Sequence, residues 1–333
     1  MKLVFLTKLG KSILRIIAAL AIVFGVLVAG YGLWCPGSKV PLPSFSNNAI
    51  WIGHGWLGDD GWFKRNNRSM ADFRDVEKCT LLLQKLHDHG ISTVYPHLCP
   101  AQPNGRIAPC DKEQTERFLD AAAKYNIQVI PWIGGVLGQS ARPDDENWRS
   151  NFVVSVDELL KAHPRLAGVQ VNIEPMPSGN AEFLKLLDEL RTITTGRMLC
   201  VAAYPPPTRW HPVPDVHWDL PYICQVASRC DQMAVMMYDT AIPLEKIYVS
   251  LMKGWSRELA ETVRFTNCKL LLGIPAYEDT DVGYHHPKVE NITSAMKGIS
   301  AARPEAGVHG IAIYCEWEMD DAKWQKWRQF IMK

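Results

Sequence analysis

The segment Gly168-Val169-Gln170-Val171-Asn172-Ile173-Glu174-Pro175 alternates apolar and polar side chains with period two. Such alternation specifies a strand whose two sets of side chains face opposite ways. Val169, Val171 and Ile173 then pack outward, while Gln170, Asn172 and Glu174 point inward together. A strand covered on both faces is ordinarily apolar throughout. Each inward polar group costs roughly 1–3 kcal/mol of desolvation unless it is hydrogen-bonded. Two readings follow. The three side chains form a polar ladder that only knits an interior together, or Glu174 is a carboxyl whose pKa burial raises for proton donation. Glu174 stands at the C-terminal end of its strand, and the second reading is the one preferred.

Residues 49–333 repeat one rhythm of a short apolar run, a loop and an amphipathic stretch with helical spacing. Strands are predicted at Ala49–Gly53, Ser92–Pro96, Gln128–Ile133, Gly168–Ile173, Met198–Ala203, Gln232–Tyr238, Lys269–Pro275 and Gly310–Tyr314. Helices are predicted over Met70–His89, Asp111–Tyr125, Asn147–Ala162, Ala181–Thr194, Glu245–Arg264, Val289–Ala302 and Asp320–Met332. Asp111 with Gln114 three residues on, and Asp144 or Asp145, are candidate N-caps. The Pro- and Trp-rich stretch 205–221 obscures the helix after the fifth strand. Strands alternating with helices imply a parallel sheet with crossover helices. Eight units without a glycine-rich dinucleotide turn favour an α/β fold of the (β/α)8 TIM-barrel type. Chemistry in such a barrel sits at the C-terminal ends of the strands.

With the strands in place, several segments together resemble the family 18 glycoside hydrolases, the chitinases and their relatives. Residues 167–174 match the family's fourth-strand D-G-x-D-x-D-x-E pattern at its Gly and its Glu. Ile133-Gly134-Gly135 resembles the end of its third strand, with Trp132 in place of Ser. Met236-Met237-Tyr238-Asp239, Leu271-Leu272-Gly273-Ile274-Pro275-Ala276-Tyr277 and Gly310-Ile311-Ala312-Ile313-Tyr314 resemble strands six, seven and eight, Tyr314 standing where Trp is usual. The resemblance implies that Glu174 protonates the leaving glycosidic oxygen while the substrate's own 2-acetamido carbonyl attacks the anomeric carbon. It makes Tyr238 the holder of that acetamido oxygen, places Met236 and Asp239 in the pocket, and implies a glycan partner and no cofactor. The sequence departs at Ala167, Gln170 and Asn172, where the family carries aspartates. A neutral ladder reduces activity, changes the mechanism, or turns the barrel into a glycan-binding pseudo-hydrolase.

A second enzymatic reading pairs Glu174 with Glu278, the latter just past the seventh strand, as acid and nucleophile of a two-carboxylate retaining glycosidase. Ile173 stands against it, since the superfamily that works this way expects Asn directly before the acid. Glu316 after the eighth strand is a third acidic candidate, as a loop or substrate-contact residue. Trp51, Trp56, Trp62, Trp132, Tyr204, Trp210, Tyr314 and Trp317 fall near predicted strand ends, where flat rings can stack on sugar faces. Trp132, Tyr314 and Trp317 are assigned to substrate binding with Gln170, Met236 and Asp239. His54, His97, His285 and His286 form no ligand-spaced pair, and no metal is expected. The sequons Asn67-Arg68-Ser69 and Asn291-Ile292-Thr293 bear only on a eukaryotic secretory route.

The first 35 residues read as a separate segment. Lys2, Lys8, Lys11 and Arg15 precede the uncharged run 16–34, which as a helix covers about 29 Å, close to a hydrocarbon core. The basic flank stays cytoplasmic and sends the barrel across the membrane. A retained anchor is preferred to a cleaved signal, because Ala29-Gly30-Tyr31-Gly32 lacks a clean A-x-A site. Leu33 and Trp34 disfavour lipid attachment at Cys35. Residues 36–48 read as a Pro/Ser linker. The nine cysteines permit disulfides in an exported domain, Cys99 with Cys110 or Cys224 with Cys230. Lys+Arg 36 against Asp+Glu 35 leaves a net charge of +1. That is no basic excess, so nucleic acid is excluded as a partner class.

Overall fold

The computed structural model describes residues 2–42, 45–209, 211, 216–279, 283–303 and 307–331, with the side chains of 2–11 left aside. It divides at Pro36/Gly37 into two units. The first is one helix, α1 (Lys2–Leu33). Its part Ser12–Leu33 has a mean hydropathy of 2.6 and is long and apolar enough to cross a membrane.

The second unit, Gly37–Lys333, holds parallel strands β1 (Asn48–Ile52), β2 (Ile91–Pro96), β3 (Gln128–Val129), β4 (Trp132–Val136), β5 (Gly168–Glu174), β6 (Met198–Ala203), β7 (Gln232–Met236), β8 (Lys269–Pro275) and β9 (Val308–Tyr314). Their order across the sheet is β3-β2-β1-β9-β8-β7-β6-β5-β4. The two ends of that order are consecutive pieces of one stretch of chain. Ile130 N–H donates to Val94 O (3.0 Å), Leu98 N–H to Trp132 O (2.9 Å) and Gln170 N–H to Pro131 O (2.8 Å), so the sheet closes on itself. The predicted third strand is split because Pro131 has no N–H to give the ladder. Counting β3 and β4 as one station leaves eight, as in a TIM barrel.

The helices are α2 (Asp60–Arg65), α3 (Ala71–Arg74), α4 (Val76–Asp88), α5 (Lys112–Lys124), α6 (Glu146–Ala162), α7 (Ala181–Ile193), α8 (Leu220–Ala227), α9 (Glu245–Val263), α10 (Ile292–Ala302) and α11 (Asp321–Ile331). The helix predicted over Met70–His89 is broken at Asp75, whose carboxylate accepts from the N–H groups of Glu77 and Lys78 and caps α4. Asp111 caps α5 and Asp145 caps α6 as expected. Between β6 and α8 the described residues form no α-helix, and Trp210 lies outside the described residues. Residues 38–42 lie along the barrel, Ser38 N–H bonding Lys297 O and Leu42 N–H bonding Phe330 O. All nine cysteines are free, including the proposed Cys99/Cys110 and Cys224/Cys230 pairs; the buried sulfurs of Cys230 and Cys268 are 3.6 Å apart.

One glycine shows how tightly the site's strands are laid together. Gly134 on β4 is paired with Asn172 on β5 and has φ +134°. A Cβ there would come 1.9 Å from the Asn172 carbonyl oxygen. Gly134→Ala is therefore expected to destabilise the fold by at least about 1–3 kcal/mol, read as a lowered midpoint in urea denaturation. An unchanged midpoint would show that the two strands can part without penalty.

Candidate active site

Inside the barrel the polar ladder of β5 is only partly satisfied. Gln170 Oε1 accepts the indole N–H of Trp51 at 2.7 Å, and Tyr95 donates its hydroxyl proton to Gln232 Oε1 at 2.5 Å. Asn172 Nδ2 donates to Glu174 Oε1 at 2.6 Å. Two buried atoms of the ladder, Gln170 Nε2 and Asn172 Oδ1, have no partner among the described residues. Such orphans cost about 1–3 kcal/mol each. The one on Asn172 is an acceptor beside the carboxyl expected to do the chemistry.

Glu174 ends β5 at the C-terminal rim and lines a cavity of about 500 Å³ with Met236, Tyr238 and Asp239 from the end of β7. Burial lifts the Glu174 pKa above the ordinary glutamate value; the Asn172 amide works against the shift and the nearby charge of Asp239 adds to it. Tyr238 is held well above the usual phenol range, by burial first and then by Tyr314 and Glu174, so its hydroxyl keeps its proton. A second lobe of about 510 Å³ is lined by Tyr277, Glu278, Tyr314 and the 47 % exposed Trp317. The lobes meet at Asp239 and at the 50 % exposed Tyr284. Tyr314 stacks on Tyr238, with centroids 5.4 Å apart at 16°, and meets Trp317 edge-on at 5.8 Å.

The structure thus brings Glu174, Asn172, Tyr238, Met236, Asp239, Tyr314 and Trp317 to one end of the barrel. It leaves three of the assigned residues out of the lining of the cleft. One of them is Asn172, which is 6 % exposed and is tied to the site by its bond to Glu174. Gln170 is fully buried and lines neither lobe. Trp132 is 9 % exposed, stacked on His97 at 3.9 Å, and lines neither lobe. It belongs to a column of rings running Trp62, His54, His97, Trp132, with successive centroids 4.1, 3.9 and 3.9 Å apart. His54 in that column is bonded through Nδ1 to the buried Asp59 at 2.5 Å. Trp51 and Trp56 are buried as well, so most of the tryptophans near strand ends are packing.

The remaining acids are placed differently from Glu174. Glu278 pairs with Lys323 at 2.9 Å and lines the other lobe. Glu316 has a pKa lifted to about 7 by burial but lines neither lobe. Sequence reasoning misses His211 and His217, which line the first lobe and are bonded to each other, His211 Nδ1 to His217 Nε2, at 2.7 Å. Both are held below the ordinary imidazole range by burial, so they are neutral near pH 7. They lie in the irregular stretch after β6, where no periodicity marks them. His285 and Glu290, between β8 and α10, are likewise gathered against Asp239 without any sequence spacing to announce it.

Comparison of the whole fold with solved structures finds chitinases. A chitinase from Chromobacterium violaceum superposes with a TM-score of 0.57 at 16% identity, covering 86% of this chain and 99% of that one. The fold is that of the family 18 chitinases. A class V chitinase from Pseudomonas fluorescens gives 0.57 at 14% identity, over 86% of this chain and all of that one. The spore cortex-lytic enzyme SleL of Bacillus cereus gives 0.57 at 8% identity, over 88% of this chain and 76% of that one. No protein-family model matches the sequence, and no curated protein does.

Proposed function

We propose that this protein is a glycoside hydrolase acting on glycans that contain 2-acetamido sugars, with Glu174 as general acid and the substrate's acetamido group as nucleophile. The observation that carries the reading is the pairing at the rim. A carboxyl with a raised pKa shares a cavity with a protonated Tyr238 hydroxyl, and Asn172 beside it leaves a buried acceptor unfilled.

Each group has a role. Asn172 Nδ2 occupies Oε1 of Glu174, leaving Oε2 to carry the proton to the glycosidic oxygen. As the bond breaks, the acetamido oxygen bonds the anomeric carbon, and the hydroxyl of Tyr238 orients it by donating a hydrogen bond. Asn172 Oδ1 is an acceptor of the kind the acetamido N–H needs. In the second step water is deprotonated by the Glu174 carboxylate and opens the cyclic intermediate, restoring the acid. Asn172 holds the intermediate's N–H without a negative charge, so this enzyme works with less electrostatic stabilisation than an aspartate would provide. The α1 helix carries the barrel as an exported or membrane-anchored domain.

The neutral ladder of Gln170 and Asn172 favours a second reading, a glycan-binding pseudo-hydrolase. The two-carboxylate reading is disfavoured by the Lys323 pairing of Glu278 and by its place in the other lobe. One experiment separates them. The full chain is incubated with N-acetylchitooligosaccharides, with a peptidoglycan glycan strand and with cello-oligosaccharides, and products are followed by mass spectrometry. Cleavage confined to acetamido glycans is expected. Cleavage of cello-oligosaccharides would refute substrate assistance, and binding without any cleavage would establish the pseudo-hydrolase.

A further inference from the structure

Asp239, His285 and Glu290 converge from two separate connections. Asp239 follows β7, and the other two lie between β8 and α10. One ligand atom from each residue lies within 4.8 Å of the others. The His285 side chain and Glu290 are fully buried. Among the described residues no Lys or Arg pairs with either carboxylate.

The imidazole fixes the chemistry of this group. His285 Nε2 lies 3.2 Å from the Tyr277 carbonyl oxygen, which can only accept, so Nε2 carries a proton. Nδ1 is then turned toward Asp239 Oδ1 at 3.3 Å and Glu290 Oε2 at 3.6 Å, yet it is buried and hydrogen-bonds to neither. A bare nitrogen lone pair facing two carboxylates is repulsive, and a cation between them removes the repulsion. That cation is a proton on Nδ1 or a metal ion that displaces that proton. Burial lowers the imidazole pKa, but the two carboxylates outweigh it and lift the value to about 9, as a proton on Nδ1 requires. The separations favour the metal. A charge-assisted N–H···O bond runs about 2.7–2.9 Å, shorter than both separations. Tetrahedral ligands bonded at about 2.0–2.2 Å stand about 3.3–3.6 Å from one another, which matches both.

We propose that Asp239 Oδ1, His285 Nδ1 and Glu290 Oε2 form a binding site for one divalent transition-metal ion of the zinc or manganese class. One imidazole and two carboxylates suit such ions, and two carboxylates balance the ion's charge. The surrounding hydrogen bonds are those that orient metal ligands. His285 Nε2–H donates to a backbone carbonyl, the Tyr277 hydroxyl donates to Asp239 Oδ1, and Thr240 donates to Glu290 Oε1 from Oγ1 at 3.0 Å and from N at 3.2 Å. Asp239 also lines both lobes of the cleft, so the ion has a way in from solvent. Bound there, it ties the β8–α10 connection to the end of β7. The site stands independently of the glycosidase reading, because its occupancy is measured without substrate.

The test uses the full chain, purified in detergent and stripped with a chelator. Zinc, manganese and calcium are titrated separately by calorimetry, and cobalt(II) is added to record its visible absorption. One equivalent of zinc or manganese is expected to bind with a micromolar or lower Kd and to raise the melting temperature. Cobalt(II) is expected to give the absorption of a low-coordinate nitrogen and oxygen site. His285→Gln and Glu290→Gln should each weaken zinc binding at least tenfold. Wild-type protein that binds none of the transition metals, or binds calcium alone, overturns the proposal. So does a folded His285→Gln variant that binds zinc as the wild type does. The cobalt spectrum of the wild type decides the matter even where a variant does not fold.

Discussion

Glu174→Gln is expected to reduce glycan hydrolysis by about 10²–10⁴-fold, the usual worth of a positioned general acid, while making the folded barrel more stable near neutral pH. The two effects share one cause. Burial raises the Glu174 pKa, so the folded chain holds a proton on this carboxyl at pH values where the unfolded chain has released it. Stability then falls as pH rises from the unfolded value, about 4.3, through the folded one, because over that window the native state binds more protons. Above it, the native state bears a poorly solvated carboxylate. Glutamine keeps the oxygen that accepts from Asn172 Nδ2 and removes the charge. The wild type should therefore melt lower than Glu174→Gln at pH 7 and approach it at pH 4. Activity in the wild type should decline on the alkaline side as Glu174 deprotonates, with that limb displaced above the ordinary glutamate range. A variant that loses activity and stability together would mean that Glu174 is a structural residue. One that keeps its activity would mean that the acid lies elsewhere.

The barrel is legible in the sequence because it is written in periodicities. Alternation along 168–174 assigns the inward set Gln170, Asn172 and Glu174, and the structure keeps that assignment to the residue. The strand ends follow, and with them the station of the candidate acid. What the sequence hides is contact between neighbouring loops. Trp132 reads as a sugar platform because it ends a strand, but the end of β2 brings His97 against its face, and the ring is spent on packing. Gln170 reads as a pocket residue because it shares a face with Glu174, yet it sits deeper in the barrel, where Trp51 claims it. His211, His217, His285 and Glu290 lie in irregular connections, where spacing carries no geometric information. The predicted strand Gln128–Ile133 runs through Pro131, whose missing N–H is where the third strand divides.

Tyr238→Phe should lower kcat on acetamido glycans by about a hundredfold, whereas Glu278→Gln should change it by no more than a few fold. The hydroxyl of Tyr238 is the donor expected to hold the acetamido oxygen, and loss of one such donor in an enclosed site is worth roughly 10²–10³ in rate. Burial keeps that hydroxyl protonated, so its contribution should not vary with pH across the neutral range, and the deficit of the phenylalanine variant should be constant from pH 5 to 8. The phenyl ring preserves the stack on Tyr314, which separates the missing hydrogen bond from a collapsed cleft floor. Glu278 is more than half exposed and already paired with Lys323, a surface interaction worth at most about 1 kcal/mol, and it faces the other lobe. If a carboxylate nucleophile operated instead, the order would invert: Glu278→Gln would abolish turnover and Tyr238→Phe would be mild. Chemistry offers a direct check on the same point. A covalent glycosyl-enzyme trapped by a 2-fluoro sugar and mapped to Glu278 would refute substrate assistance, whereas competitive inhibition by a thiazoline mimic of the cyclic intermediate, weakened in Tyr238→Phe, is the result expected from this cavity.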